Sequence, residues 1–189
     1  MDASRRTAAR PRRAATALLA TLLLAACSPE HDWREIRAED AGYRVMLPAR
    51  PAQLTRPINL EGLKLDMAMQ GAQAGGVAYT VGAIRLPDNT AATRDRALAS
   101  MRTAMVHNIG GTERSSRPVT VTVVDAGGRT VGSAAGVEVE AAGRMRDGEA
   151  VLLARFVGSG ARVWQAVVLG PAPDREQAAV FLESLKVQR

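Results

Sequence analysis

The sequence predicts an α+β domain built as an antiparallel β-sheet flanked by helices. Three observations predict it. Apolar residues alternate with polar ones at period two in several segments between Trp33 and Leu169. Short turn signals separate those segments, and hairpin joins make neighbouring strands antiparallel. The period lengthens to that of a helix in two places, once mid-chain and once at the end. The count is seven or eight strands and two helices, an arrangement in which helices pack on a sheet.

Residues 1–26 are set apart from this domain. Arg5, Arg6, Arg10, Arg12 and Arg13 precede a thirteen-residue apolar run, Ala14 to Ala26, broken only by Thr16 and Thr21. That run is short for a membrane-spanning helix, which needs roughly 20 apolar residues, and suits a secretory signal. It ends in Leu24-Ala25-Ala26-Cys27, which resembles the bacterial lipobox: a leucine three before the cysteine with small residues between. The resemblance implies cleavage before Cys27, a diacylglycerol thioether on its sulfur and attachment to a membrane. Ser28 at the next position resembles the pattern that sorts lipoproteins to the outer membrane, facing the periplasm. The expected division is a signal peptide over 1–26, a lipidated tether over 27–32 and one domain over 33–189.

Removing the signal changes the charge. The whole chain has a formal net charge of +6, but residues 1–26 hold five arginines and one aspartate, so 20 basic and 18 acidic residues remain, a net of +2. A near-neutral domain lacks the clustered basic surface that nucleic acid demands, so no nucleic-acid partner is expected. Cys27 is the sole cysteine, which excludes an internal disulfide.

Taken in order, Trp33 to Arg37 reads as a short strand and Ala41-Gly42 as a turn. Tyr43, Val45 and Leu47 alternate with Arg44 and Met46, and Pro48 and Pro51 end that strand. Leu63, Leu65, Met67 and Met69 alternate with polar or small residues. Gly71 to Gly76 turns the chain into Val77 to Leu86, so 60–86 forms a hairpin, stopped by Pro87-Asp88-Asn89. Leu98, Met101, Met105 and Ile109 make a helical stripe over Thr93 to Ile109, with Thr93 as its cap and Gly110-Gly111 as its end. Val119, Val121 and Val123 form the next strand. Thr130 to Met145 is long and weakened at Gly132 and Gly136. Asp147-Gly148 signals a two-residue hairpin turn into Ala150 to Val157. Ser159-Gly160 turns into Arg162 to Leu169. Asp174 and Gln177 have the spacing of a capping box, and Ala178, Phe181, Leu182 and Leu185 give the C-terminal helix.

Several of these blocks resemble PsbP-like bacterial domains: Trp33-Arg34-Glu35, the run Gly42 to Pro51, Gly136-Val137-Glu138, the run Arg162 to Pro171, and Phe181 to Lys186. The resemblance implies an α/β/α sandwich around a curved antiparallel sheet. It implies no shared catalytic residues.

The chemistry-bearing residues are sparse. His31 lies in the tether and His107 near a helix end. They share no zinc-ligand spacing, so no metal and no cofactor is expected. No G-x-S-x-G elbow accompanies Ser100, Ser115 or Ser116. Met67, Met69, Met101 and Met105 read as core filler shared by strand and helix. Glu138 and Glu140 stand two apart on one strand and share a face. If Asp147-Gly148 is the turn, Glu140 faces Arg155 as a cross-strand ion pair, and no acid–base pair results. The sequence therefore predicts a membrane-anchored envelope lipoprotein without enzymatic activity, whose domain binds an envelope protein or assists assembly. The alternative is a carrier that holds a small apolar ligand between sheet and helix.

Overall fold

Among the described residues, ten strands in one sheet and two helices make up the fold. The computed structural model describes residues 30–60, 62–146 and 148–188. Leu24, Ala25, Ala26 and Cys27 lie outside them, as do residues 1–23. The strands are β1 (Arg34–Ala38), β2 (Tyr43–Leu47), β3 (Ala52–Leu60), β4 (Leu63–Ala74), β5 (Val77–Arg85), β6 (Thr112–Val124), β7 (Thr130–Met145), β8 (Gly148–Ser159), β9 (Arg162–Gly170) and β10 (Lys186–Gln188). The helices are α1 (Ala91–Asn108), between β5 and β6, and α2 (Arg175–Ser184), between β9 and β10. The order across the sheet is β1-β2-β10-β6-β7-β8-β9-β5-β4-β3. All pairings are antiparallel except β10 with β6.

The sheet curls into a half-barrel, and this corrects the expected fold class. Among the described residues 59% are strand and 18% helix, so there is no α/β/α sandwich with flanking helical layers. The physical reason is that the strands run past the residues taken to stop them. β3 forms after Pro48 and Pro51 and carries Pro57 within it. It can do so as an edge strand, where a missing N–H breaks no ladder. β4 continues through Gly71 to Ala74, and the turn shrinks to Gly75 and Gly76, both at positive φ. β10 adds three residues after α2. A ten-residue helix such as α2 is only about 15 Å long and cannot cover such a sheet.

Side chains alternate across the strands and divide the core by face. Leu153, Val157, Trp164, Ala166 and Val168 join Tyr43, Tyr79 and the α2 residues Ala178, Phe181 and Leu182 in one cluster. Leu152, Ala154, Phe156, Val163 and Val167 join the α1 residues Ala97 and Met101 in the other. Of the four methionines read as filler, Met67 and Met101 belong to this second cluster, and the partly buried Met69 and Met105 pack against it.

The helix starts follow local hydrogen bonding. Thr90, not Thr93, caps α1: its hydroxyl accepts from the Thr93 N–H at 3.2 Å. Thr93 is buried, and its own hydroxyl donates to Asp88 Oδ2 at 3.0 Å. Asp174 caps α2, accepting from Glu176 N at 2.8 Å and Gln177 N at 3.0 Å. The Gln177 side chain does not close a capping box; it accepts from Trp33 Nε1 at 3.1 Å and ties β1's approach to α2.

One glycine marks a close backbone approach. A Cβ on Gly143 would lie 2.2 Å from the Ile109 carbonyl oxygen and 2.7 Å from Gly111 Cα, where the end of α1 meets β7. Neither neighbour is a side-chain tip that could swing away. Gly143→Val is expected to cost about 3 kcal/mol by overpacking. Gly132→Ala on the same strand meets nothing within 4 Å and is expected to stay within about 0.5 kcal/mol. Urea unfolding of the two variants checks the contrast.

Candidate functional site

The two glutamates that the sequence places on one face do share one, and arginines enclose both. The pairing of β7 with β8 joins Met145 to Gly148 and leaves residues 146 and 147 between them, Asp147 itself lying outside the described residues. The turn therefore sits one residue earlier than Asp147-Gly148. The register shifts by two, so Glu138 faces Arg155, and Glu140 faces Leu153. A shift of two keeps every side chain on its face, which is why the face was legible and the partner was not.

Arg155 is 6% exposed. Its Nε and Nη2 donate to Glu138 Oε2 at 3.2 and 2.6 Å. Its Nη1 donates to the Leu182 carbonyl at 2.8 Å, one of the last carbonyls of α2, which the helix itself leaves unbonded. Glu138 takes a second arginine on its other oxygen, Arg117 of β6. Glu140 is held by Arg175, the first residue of α2, whose two terminal nitrogens reach its two oxygens at 2.8 and 2.7 Å. That paired hydrogen bond keeps the Glu140 carboxyl below its ordinary range, against the opposing effect of partial burial. Together these side chains floor a cavity of about 280 Å³ between α2 and strands β6 to β8.

The arrangement fixes α2 to the sheet through charge. Glu138 is shared by two arginines and Glu140 is held by a third, while Glu183, which also lines the cavity, makes no ion pair among the described residues. Glu140, held below its ordinary range by Arg175, is not a carboxyl kept protonated as a glycosidase acid must be. Arg117 and Arg175 were not legible as site residues, because they come from segments that only the folded pairing brings to Glu138 and Glu140.

The other singled-out residues stand apart from this cavity. His31 stacks on Trp33, ring centroids 5.7 Å apart, and meets Tyr79 edge-on at 6.2 Å. His107 is exposed in the last turn of α1. Ser100 lies on α1, and Ser115 and Ser116 lie on β6. No group of three or more His, Cys, Asp or Glu is arranged to hold a metal among the described residues. No helix among them is long and apolar enough to cross a membrane.

No family model and no curated protein matches the chain. Among solved structures, a Pseudomonas aeruginosa protein of unknown function aligns over 77% of this chain and 87% of its own, at 13% identity and a TM-score of 0.38.

Proposed function

We propose that the protein is an envelope lipoprotein, anchored by lipid on Cys27 and sorted by Ser28 to the outer membrane on its periplasmic side. Its curled domain acts there as a non-catalytic binding or assembly-accessory module for an envelope protein. The observation that carries the reading is where the folded unit begins. His31 already stacks on Trp33, and the Asp32 N–H bonds the Pro48 carbonyl at 2.7 Å. Only Ser28, Pro29 and Glu30 separate Cys27 from this packed start. Four residue steps span at most about 14 Å, so a lipid on Cys27 holds the domain close against the bilayer surface.

The non-catalytic part of the reading is supported by the neutralised glutamates, whose charges are spent on Arg117, Arg155 and Arg175. The carrier alternative gains no such support: half of the residues lining the cavity of about 280 Å³ between α2 and the sheet are charged, whereas an apolar ligand needs a predominantly apolar wall.

Cell fractionation tests the anchor. The wild-type protein is expected in the membrane pellet, resistant to high salt, because two or more acyl chains hold firmly. Cys27→Ser is expected to lose that attachment or to persist as uncleaved precursor. A processed, membrane-bound Cys27→Ser protein would overturn the reading.

A further inference from the structure

Gln165 of β9 is 5% exposed and sits on the sheet face that packs against α1. Its carboxamide Nε2 donates to two thioether sulfurs, Met105 of α1 at 3.7 Å and Met67 of β4 at 3.9 Å. These sulfurs are its only acceptors among the described residues. Gly82 of β5 lies between the two strands, paired with Gln165 on one side and with Met69 on the other. A Cβ there would come within 2.9 Å of the Met67 sulfur and 3.2 Å of Gln165 Cγ. The glycine therefore leaves the room in which amide and sulfur meet.

A thioether is a weak acceptor, so a buried donor with nothing better is under-satisfied. One oxygen added to the Met105 sulfur changes this. Placed about 1.5 Å from the sulfur, it lies about 2.9 Å from Nε2 when the S–O···N angle is near 110°, an ordinary N–H···O distance. The sulfur and nitrogen need not move apart to admit it, since that geometry spans their present 3.7 Å. Sulfoxidation elsewhere in a core buries a polar oxygen without a partner; here the donor is already in place. A soft cation would instead meet the amide hydrogens, which oppose its charge. Of the two methionines that touch Gln165, Met105 is half-buried and Met67 is 7% exposed, so a small oxidant reaches Met105 first. The domain over 33–189 has no cysteine, which leaves the thioethers as its most readily oxidised side chains.

We infer that Met105 is a modification site: hydrogen peroxide oxidises its thioether to the sulfoxide, and Gln165 holds the new oxygen so that the fold is kept. A sulfur lone pair attacks one peroxide oxygen, the O–O bond breaks and an S–O bond forms. The proton on the attacked oxygen passes to the departing hydroxide, which leaves as water. Sulfur loses two electrons and the peroxide gains them. Gln165 acts as a positioning residue for the product, and methionine sulfoxide reductases restore the thioether.

The test is titration of the membrane-extracted protein in detergent with hydrogen peroxide, read by peptide mass and by melting temperature. Cleavage after Arg102 and Arg114 separates Met105 from Met101. In the wild type, Met105 is expected to gain one oxygen while the melting temperature stays within about 1 °C; in Gln165→Leu the same gain is expected to lower it by about 4 °C or more. Met105→Leu under the same treatment sets the contribution of the other methionines, the exposed Met145 among them. The Gln165 side-chain N–H resonances of the wild type are expected to move downfield on oxidation, a measurement that needs no variant. The inference is overturned if Met105 stays reduced once Met145 is fully oxidised, or if those resonances do not move. It is equally overturned if oxidation of Met105 lowers the melting temperature as much in the wild type as in Gln165→Leu.

Discussion

Glu138→Ala is expected to lower the unfolding free energy by about 3–5 kcal/mol, the range for breaking a buried ion pair from one side. The loss comes mainly from what is left behind. Arg155 is 6% exposed, and without Glu138 its guanidinium retains only the Leu182 carbonyl. Arg117, the second partner of Glu138, has a side chain 64% exposed and can turn to water, so Arg117→Ala is expected to cost no more than about 1 kcal/mol. Replacing both members of the buried pair, as Glu138→Leu with Arg155→Met, is expected to recover most of the loss, since no uncompensated charge remains. Guanidinium unfolding of the three variants gives the ordering. Equal small losses for Glu138→Ala and Arg117→Ala would show that Arg155 is not held as described.

Trp164→Ala is expected to cost about 3–5 kcal/mol, as for other large aromatic truncations in a core. Trp164 is fully buried on β9, one of the inner strands of the sheet. Its indole Nε1 donates to the Ala41 carbonyl at 2.8 Å, bridging to the turn before β2 from 123 positions away. Removing it opens a cavity in the α2-side core and orphans that carbonyl. Trp164→Phe keeps most of the ring volume and loses the hydrogen bond, for an expected cost of about 1–2 kcal/mol. The difference between the two variants separates packing from bonding. A Trp164→Phe loss as large as that of Trp164→Ala would place the stabilisation in the Ala41 contact and not in the core.

What the sequence disclosed was what its local periods encode. Arg162 to Leu169 and Ala150 to Val157 read as strands because each alternates or runs apolar at strand length, and both lie within observed strands. Asp174 read as a helix cap because its carboxylate reaches two N–H groups within its own turn. The cap of α1 was displaced by three residues because Thr90 and Thr93 have the same chemistry, and only the chain's exit from β5 decides between them. β3 was hidden by Pro48, Pro51 and Pro57, whose cost depends on whether a strand lies at an edge, a tertiary fact. The same limit governed the site. The shared face of Glu138 and Glu140 follows from period two, whereas the partners of each depend on a turn one residue from its expected place and on a helix distant in sequence.

Lipid on Cys27 is proposed to hold the domain that begins at His31 at a membrane, and the mass of the mature N-terminus decides between that proposal and its failure. Protein extracted from its native membrane with detergent, digested and measured by mass spectrometry is expected to yield an N-terminal peptide that starts at Cys27 and carries a diacylglyceryl group. An N-terminal peptide that starts elsewhere, or one that starts at Cys27 with an unmodified thiol, would contradict it.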